Sequence, residues 1–385
     1  MINYTPYENL FYLYIAIIAI IPCIILCFFK KRIRPINLII SMIMTLLVFG
    51  LHSIQLIEFS LFILYELIII FGFYYFRKKS DSEFIYFLTF TLSIIPIFIV
   101  RIMALKDNIS EFVGFIGISY MCFKIWQLLF DIHDGKIEKL NFFHVVELLF
   151  FFPSFSSGPI ITHKELNDDY ENGLSNYFQE YFVFGFKKIL LGLFYKFAVA
   201  YFINTLFLSK IGDSSTIINI IKYMYGYTFY LFFDFAGYSN MAIGIGSLMG
   251  LKMPENFNKP FLACNMKEFW QRWHMSLSRW FNDNVYNRFV LNNVRNKMFK
   301  DVKHAARFGY LFTMILMGIW HGFSIHYIIY GFYEGVLLFI TDIILKTKWY
   351  RSFKNKKYYK FVSIVVNFQF LAFGMLLFSG KYLFK

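Results

Sequence analysis

The sequence predicts an all-α, polytopic integral membrane protein of about ten to twelve transmembrane helices, with additional re-entrant or amphipathic helices. Hydrophobic residues make up 58% of its 385 residues, and the mean hydropathy is +0.54. Apolar runs of about 20 residues recur along the chain, and a helix of that length spans the bilayer core. These runs are continuous rather than alternating, which favours helices over a membrane barrel.

The N-terminal part of the sequence contains a series of predicted spans. They lie at 10–29, 36–51, 60–76, 84–100 and 112–130. The basic segments KKRIRP at 30–35 and RKK at 77–79 follow the first and third spans, so we expect both on the cytoplasmic side and the N-terminus outside. The N-terminus lacks the basic region of a cleavable signal peptide, and the first span is expected to remain.

The rest of the sequence is less regular. Apolar segments occur at 142–155, 181–207, 217–235, 308–320, 327–344 and 361–378. The segment 241–249 is too short to cross a bilayer alone, and 269–289 is amphipathic. Because no repeat or linker is visible, we predict one domain over 1–385. It comprises N-terminal spans at 1–110, a core at 111–335 and C-terminal spans at 336–385.

Charge and cysteine content narrow the possible functions. The net charge of +14 fits the positive-inside rule and contact with anionic lipid headgroups, or a cytoplasmic docking face for an acidic partner. Nucleic acid is not an expected partner, because the basic residues lie in short loops between spans. The cysteines form no CxxC pair, which predicts packing roles rather than a disulfide framework or a metal site. They are Cys23, Cys27, Cys122 and Cys264.

The stretch WHMSLSRWF at 273–281 places a histidine among tryptophans. On a continuous helix, Trp270, His274, Leu277 and Phe281 would share one face. A polar imidazole on an apolar face must be paired. His274 is therefore either a hydrogen-bonded structural histidine or part of a reaction centre.

A second histidine lies in MGIWHGFSIHYIIYG at 317–331. An ionisable side chain such as His321 at membrane depth is a functional hypothesis by default, although a hydrogen bond across a helix pair is the alternative. The spacing of Gly318 and Gly322 permits close helix approach. His326 follows five residues later and does not share a helix face with His321, which excludes an HExxH-type metal pair.

Two further stretches contain candidate residues that line a cavity or have a structural role. Asp234 is a carboxylate at the end of an apolar run. In FFPSFSSGPI at 151–160, two prolines break the helix around Ser156, Gly158 and Pro159. Irregular backbone at membrane depth is tolerated where it is buried or lines a cavity, although a plain loop is also possible.

Histidine suits general base chemistry because its pKa lies near neutral pH. We therefore hypothesise that His321 deprotonates an acceptor hydroxyl and that His274 assists. No nucleophile–histidine pairing can be identified from the spacing, so direct transfer is simpler than a covalent enzyme intermediate.

Taken together, these stretches resemble the membrane-bound O-acyltransferase family. WHMSLSRWF followed by MGIWHG is similar to its paired-histidine pattern. GISYMCFKIWQ, IHDGKI, FFPSFSSGPI and NFNKPFLACNMKEFWQRWHMSLSRWF resemble the branch that transfers D-alanine during teichoic acid modification. The resemblance identifies His321 with the family's essential histidine and His274 with its second one.

The resemblance also implies a substrate and partners. D-alanine would arrive as a thioester on the phosphopantetheine arm of an acidic carrier protein, with no permanently bound cofactor and no metal. The stretch containing Val285, Val290 and Leu291 resembles the carrier-docking helix. The first acceptor would be the hydroxyl of a small membrane peptide, from which an extracytoplasmic protein passes D-alanine to teichoic acid. The expected location is the plasma membrane of a Gram-positive-type bacterium.

Two other functions stay open at this point. A polysaccharide O-acetyltransferase of the alginate type would share both histidines but use another donor and acceptor. A membrane transporter would also place polar residues within the bilayer. Paired, interrupted halves are typical of many transporters, and they are not visible here, since both histidines lie in the C-terminal half.

Overall fold

The computed structural model describes residues 5–31, 33–49, 53–105, 114–172, 174, 176–212, 214–299 and 301–382. Helices predominate, and no strand occurs within these ranges, which confirms the all-α class. The packing of the chain divides it into two compact units. Unit 1 is Met1–Leu193 with Gly237–Pro254, and unit 2 is Phe194–Ala236 with Glu255–Lys385. The single domain and its internal boundaries stay a prediction.

Unit 1 is built from the N-terminal helices. They are α1 (Leu10–Ala19), α2 (Ile21–Phe28), α3 (Arg34–Phe49), α4 (Ser53–Arg77), α5 (Glu83–Met103), α6 (Ile118–His133), α7 (Phe142–Phe150), α8 (His163–Asn172) and α9 (Phe184–Leu193). Helix α4 packs against α5 and α6, and α7 packs against α3 and α8. Phenylalanine rings fill the core: Phe59 lies 5.0 Å from Phe49 and 5.3 Å from Phe115, measured between ring centroids.

The later helices belong mainly to unit 2. They are α10 (Tyr201–Leu206), α11 (Ile217–Leu248), α12 (Met266–Trp270), α13 (Met275–Phe281), α14 (Asn287–Arg295), α15 (Val302–His321), α16 (Ile325–Ile344), α17 (Lys348–Lys354) and α18 (Tyr359–Ser379). Gly237–Leu248, the last part of α11, is counted in unit 1. Several of these helices begin with a capping side chain: Asn265 accepts a hydrogen bond from the Glu268 N–H, and Asp301 accepts one from the Lys303 N–H.

Helices α15 and α16 form a tightly packed hairpin. A Cβ atom on Gly318 would lie 2.3 Å from the carbonyl oxygen of Tyr327 and 3.2 Å from the Cα of Gly331. Only glycine permits this approach, which confirms the predicted role of Gly318. The hairpin fixes the end of α15, where His321 lies.

Among the described residues, five helices are long and apolar enough to cross a membrane. They are Ile54–Arg77, Glu83–Met103, Phe178–Lys210, Ile325–Ile344 and Tyr359–Ser379. The pair α1 and α2, bent by 40°, would make a sixth crossing. The sequence count of about ten to twelve also includes shorter or more polar helices such as α6, α7 and α15, which length and composition alone do not support as spans.

The segment 241–249, predicted to be too short to cross a bilayer alone, is for the most part the end of α11, which continues without a break from Ile217 to Leu248. The structure corrects one local prediction. The segment 269–289 is not one amphipathic helix: α12 ends at Trp270, α13 begins at Met275, and a π-helical turn, Asn282–Tyr286, precedes α14. The predicted proline break is confirmed, since α7 ends at Phe150.

Candidate active site

The chain turns sharply at His274, between α12 and α13. Its backbone lies in the left-handed region, with φ of 44° and ψ of 52°. Residues other than glycine rarely adopt this backbone conformation. It costs about 1–3 kcal/mol, and such residues cluster at functional sites. The prediction that Trp270, His274, Leu277 and Phe281 share one helix face is therefore wrong, because a left-handed residue cannot continue an α-helix.

Hydrogen bonds to residues 256–258 hold this turn in place. The Asn258 N–H donates to the Arg272 carbonyl at 2.9 Å, and the Met275 N–H donates to the Asn256 carbonyl at 2.9 Å. The Asn256 side chain is fully buried, and its Oδ1 accepts from the N–H of Ser276 at 3.3 Å and from its Oγ at 2.6 Å. His274 is thus held between backbone groups that are themselves fixed.

The His274 imidazole is buried among aromatic rings. Its side chain is 4% exposed, and its ring lies 4.7 Å from that of Phe235 in an edge-on arrangement. Burial lowers the pKa of His274 well below its ordinary value, and the nearby His321 lowers it further. The ring is therefore neutral at neutral pH.

His321 is the last residue of α15 and is half-buried. Its ring lies 5.0 Å from that of Phe378, and 5.9 Å from the stacked ring of Tyr327. Gly322 ends the helix directly after it. Unlike His274, this histidine is placed by the packing of α15, α16 and α18 rather than by a constrained backbone.

His274 and His321 both belong to unit 2, and His321 lies near enough to lower the pKa of His274; their assignment to one site stays a prediction. Asp234 also belongs to unit 2, but its carboxylate pairs with the ammonium of Lys196, which is 9% exposed. This ion pair gives Asp234 a structural partner of its own. Among the described residues, no group of three or more histidine, cysteine or acidic side chains could hold a metal ion.

Ser156, Gly158 and Pro159 lie in unit 1, in a buried irregular segment. The Ser156 hydroxyl forms a hydrogen bond with the Tyr238 hydroxyl, which also accepts one from the Ser157 N–H at 3.2 Å. A Cβ on Gly158 would lie 2.6 Å from the Pro153 carbonyl oxygen, so this position requires glycine. The contacts of this segment are those of close packing.

The predicted docking residues differ in exposure. Val285 lies in the π-helical turn and is half-buried. A Cβ on Gly309 of α15 would lie 3.1 Å from the side chain of Val290, so the half-buried Val290 packs against α15. Leu291 is exposed, as are Val294 and Met298 beyond it. We refer to Leu291, Val294 and Met298 as the α14 surface.

Sequence reasoning missed Asn256, Glu334 and Asp342. Glu334 is buried in α16 and accepts a hydrogen bond from the Trp270 indole at 3.1 Å, which ties α12 to α16. Asp342 accepts from Lys267, Arg307 and Lys346 at 2.7–2.9 Å. Both carboxylates interrupt an apolar run, and this signal was available in the sequence. Asn256 carries no such local signal, because its partners are distant in sequence.

Comparison with known proteins identifies the family to which this chain belongs. Residues 51–382 match the model of MBOAT, the membrane-bound O-acyltransferase family. The chain belongs to this family. It is accordingly an acyltransferase, and its bacterial relatives and apolar helices indicate a location in a bacterial membrane.

Individual relatives fall into two groups. The chain is 36% identical to a teichoic acid D-alanyltransferase of Bacillus subtilis over 98% of each chain. It is 33% identical to a teichoic acid D-alanyltransferase of Streptococcus thermophilus, over 97% of this chain and 95% of that protein. A probable alginate O-acetylase of Pseudomonas aeruginosa is 32% identical, but over only 58% of this chain and 42% of its own length.

Proposed function

We propose that this protein transfers D-alanine from a thioester to an acceptor hydroxyl and thereby supports the D-alanylation of teichoic acid. The observation that carries the proposal is the histidine pair: a buried, neutral His274 lies close enough to His321 for the two to interact electrostatically. Similarity over nearly the full length to two D-alanyltransferases supports D-alanine, rather than acetate, as the transferred group.

In the proposed reaction, His321 is the general base. It takes the proton of the acceptor hydroxyl as the oxygen attacks the thioester carbonyl carbon. The tetrahedral intermediate then collapses, the carbon–sulfur bond breaks, and the departing sulfur takes the proton from the imidazolium. The products are a D-alanyl ester and a free thiol. We assign His274 a supporting role, since a neutral imidazole has one ring N–H to donate to the oxyanion or to a reacting group.

The proposed donor is the phosphopantetheine arm of an acidic carrier protein, which would dock on the α14 surface. Leu291, Val294 and Met298 form its exposed apolar centre. Arg288, Arg295 and Lys297 lie on or next to α14 and give this end of the molecule a positive charge. An apolar centre with a charged rim is typical of a protein interface, and the positive charge would steer an acidic partner.

The remaining partners of the proposed pathway are the small membrane peptide that offers the acceptor hydroxyl and the extracytoplasmic protein that passes D-alanine onward. The alginate-type alternative rests on relatives that match a smaller share of the chain. A transporter is less well supported, because the two histidines approach each other in one unit.

The test measures D-alanine esters in the envelope of a strain that lacks the gene and is complemented with variants. We expect wild type to restore the esters and His321→Ala to leave none, at equal protein levels. His326→Ala is the matched control, since His326 is also half-buried and also contacts Tyr327. It should restore the esters.

Two other results would redirect the proposal. If wild type leaves D-alanine unchanged but alters polysaccharide acetylation, the alginate-type function is correct. If purified protein in liposomes moves a solute without transferring an acyl group, the protein is a transporter.

A further inference from the structure

A cavity in unit 1 lies outside the candidate active site. It has a volume of about 590 Å³ and is formed where the turn between α2 and α3 meets the start of α7 and the end of α8. Its lining includes Lys30, Lys31 and Arg34 from the turn, with Leu38, Phe143 and Leu174 as apolar walls. The volume is in the range of small-molecule sites.

Several contacts place this cavity on the basic side of the membrane protein. Lys30 and Lys31 precede α3, and the next helix, α4, returns the chain to Arg77, Lys78 and Lys79. The Tyr74 hydroxyl near the end of α4 donates to the Glu138 carbonyl and accepts from the Leu140 N–H, at 3.0 and 3.1 Å. The end of α4 and the start of α7 therefore lie together, beside the basic segments that the positive-inside rule assigns to the cytoplasmic side.

One of the three acidic side chains in the cavity wall, Glu147, is paired with a cation. Arg34 Nε donates to the buried Glu147 at 2.7 Å, and the Arg34 guanidinium lies 4.8 Å above the Tyr170 ring. Asp169 accepts a hydrogen bond from the backbone N–H of Lys252 at 2.7 Å and keeps its charge. Arg34 and Glu147 thus build a rigid, neutral wall.

Lys30 and Lys31 are the basic side chains of the lining that are left to contact a ligand. Neither Lys30 nor Lys31 forms an ion pair within the part of the chain that the structure describes. A fixed turn presents them: Lys30 has φ of 52°, and the N–H groups of Lys30 and Lys31 donate to the carbonyls of Cys27 and Leu26 at 3.0 Å. Asp169 and the exposed Glu171 balance the two lysines in total charge, so the positive charge is local to the turn that carries Lys30 and Lys31.

Two exposed aromatic rings belong to this region: Phe143 lines the cavity, and Phe29 directly precedes Lys30 in the chain. Phe29 is 70% exposed and Phe143 is 68% exposed, both next to charged or polar residues. Apolar rings beside cations are typical of the boundary between lipid tails and headgroups.

We propose that this cavity binds the headgroup of an anionic phospholipid. Lys30 and Lys31 would contact its phosphate, while Leu38, Phe143 and Leu174 would contact its glycerol backbone and the first carbons of its tails. This inference does not depend on the proposed acyl transfer.

The test titrates the full-length protein in detergent micelles with phosphatidylglycerol and counts bound lipids by native mass spectrometry. Lys30→Gln combined with Lys31→Gln should weaken binding roughly 30-fold, because each lysine near an anionic headgroup contributes about a factor of five. Lys30→Arg combined with Lys31→Arg should keep the affinity within about threefold, since the charge remains. Phosphatidylcholine, whose headgroup is neutral overall because choline is a cation, should bind more weakly than phosphatidylglycerol.

The matched control is Lys78→Gln combined with Lys79→Gln. These lysines lie at the same side of unit 1, with their ammonium groups over the rings of Tyr74 and Tyr75, and neither lines the cavity. If this pair weakens binding as much as the first, the lipid is attracted by surface charge in general and the proposal is wrong. If soluble glycerol phosphate displaces the lipid at equal concentration, the ligand is a soluble phosphate and the lipid assignment fails. Unchanged binding in the Lys30 and Lys31 variant would also overturn it.

Discussion

The two candidate histidines lie in different surroundings within the same unit. His274 is buried, has a left-handed backbone and is framed by hydrogen bonds to Asn256 and its neighbours. His321 is half-buried, ends a long helix and packs against Tyr327 and Phe378. One imidazole is held by its own backbone, and the other is held by the packing of three helices.

This difference suggests a division of work. A half-buried imidazole can meet two substrates and exchange a proton with them, as the proposed general base must do. A buried, neutral imidazole on a fixed turn is better suited to orient or stabilise than to exchange protons with solvent. The predictions below test whether the two histidines separate in this way.

The largest effect is expected at His321. With purified protein and D-alanyl carrier protein, His321→Ala should lower the transfer rate by about 10²–10⁴, the usual contribution of a general base. His274→Ala should lower it less, because the base remains. Single-turnover rates at saturating carrier concentration would measure both. Equal losses would show that the two imidazoles act as one unit, which contradicts the proposed division.

The second prediction concerns the packing that places His321. Gly318→Ala would push a methyl group to 2.3 Å from the Tyr327 carbonyl oxygen and separate α15 from α16. A misplacement of about 1 Å can cost a hundredfold in rate, so we expect a loss of about that size with the protein still in the membrane. The same transfer assay measures it.

Gly72→Ala is the control for this substitution, since it is also a glycine in a membrane helix and a Cβ there would meet nothing within 4 Å. This variant should keep full activity. If Gly318→Ala also keeps full activity, helix packing does not position His321.

The third prediction concerns the turn that holds His274. Asn256→Ala would remove the acceptor of both Ser276 hydrogen bonds in a fully buried place. Leaving buried donors without this acceptor costs about 1–3 kcal/mol, so thermal unfolding in detergent should shift to lower temperature. Ser276→Ala removes only the hydroxyl and should cost less. An unchanged unfolding temperature in Asn256→Ala would mean that other contacts hold the turn.

His321 could be selected from its local sequence alone, for a physical reason. An ionisable residue within an apolar run can be identified locally, because its cost in the membrane does not depend on distant partners. The same applies to the small residue at Gly318 and to the proline break after Phe150. Gly318 and the proline break were predicted correctly from neighbouring residues alone, and the role of His321 stays a prediction.

The turn at His274 could not be predicted in this way. Residues 266–281 have the composition of one amphipathic helix, and the break depends on pairing with 256–258, which local periodicity does not reveal. The absence of a side chain at Gly309 also lets the half-buried Val290 pack against α15, a contact that local sequence does not reveal. Tertiary contacts of this kind override local patterns.

The smallest expected effect is on the pH dependence of stability. Burial lowers the pKa of His274 in the folded protein, whereas in the unfolded chain it should be near the ordinary value of about 6.5. Below that pH the unfolded chain binds a proton that the folded protein does not, so the free energy of unfolding falls as the pH falls. His274→Asn tolerates the left-handed backbone and removes this proton linkage.

The unfolding temperature of wild type should therefore drop more than that of His274→Asn between pH 7 and pH 5. Expressed as free energy of unfolding, the difference between the two proteins should change by up to about 1.4 kcal/mol per pH unit, the value that corresponds to binding one proton. His304→Asn, at an exposed histidine, is the control and should follow wild type. If wild type and His274→Asn have parallel pH profiles, His274 exchanges protons in the folded state. It would then share the proton transfer with His321, and the contrast between the two histidines would be one of position only.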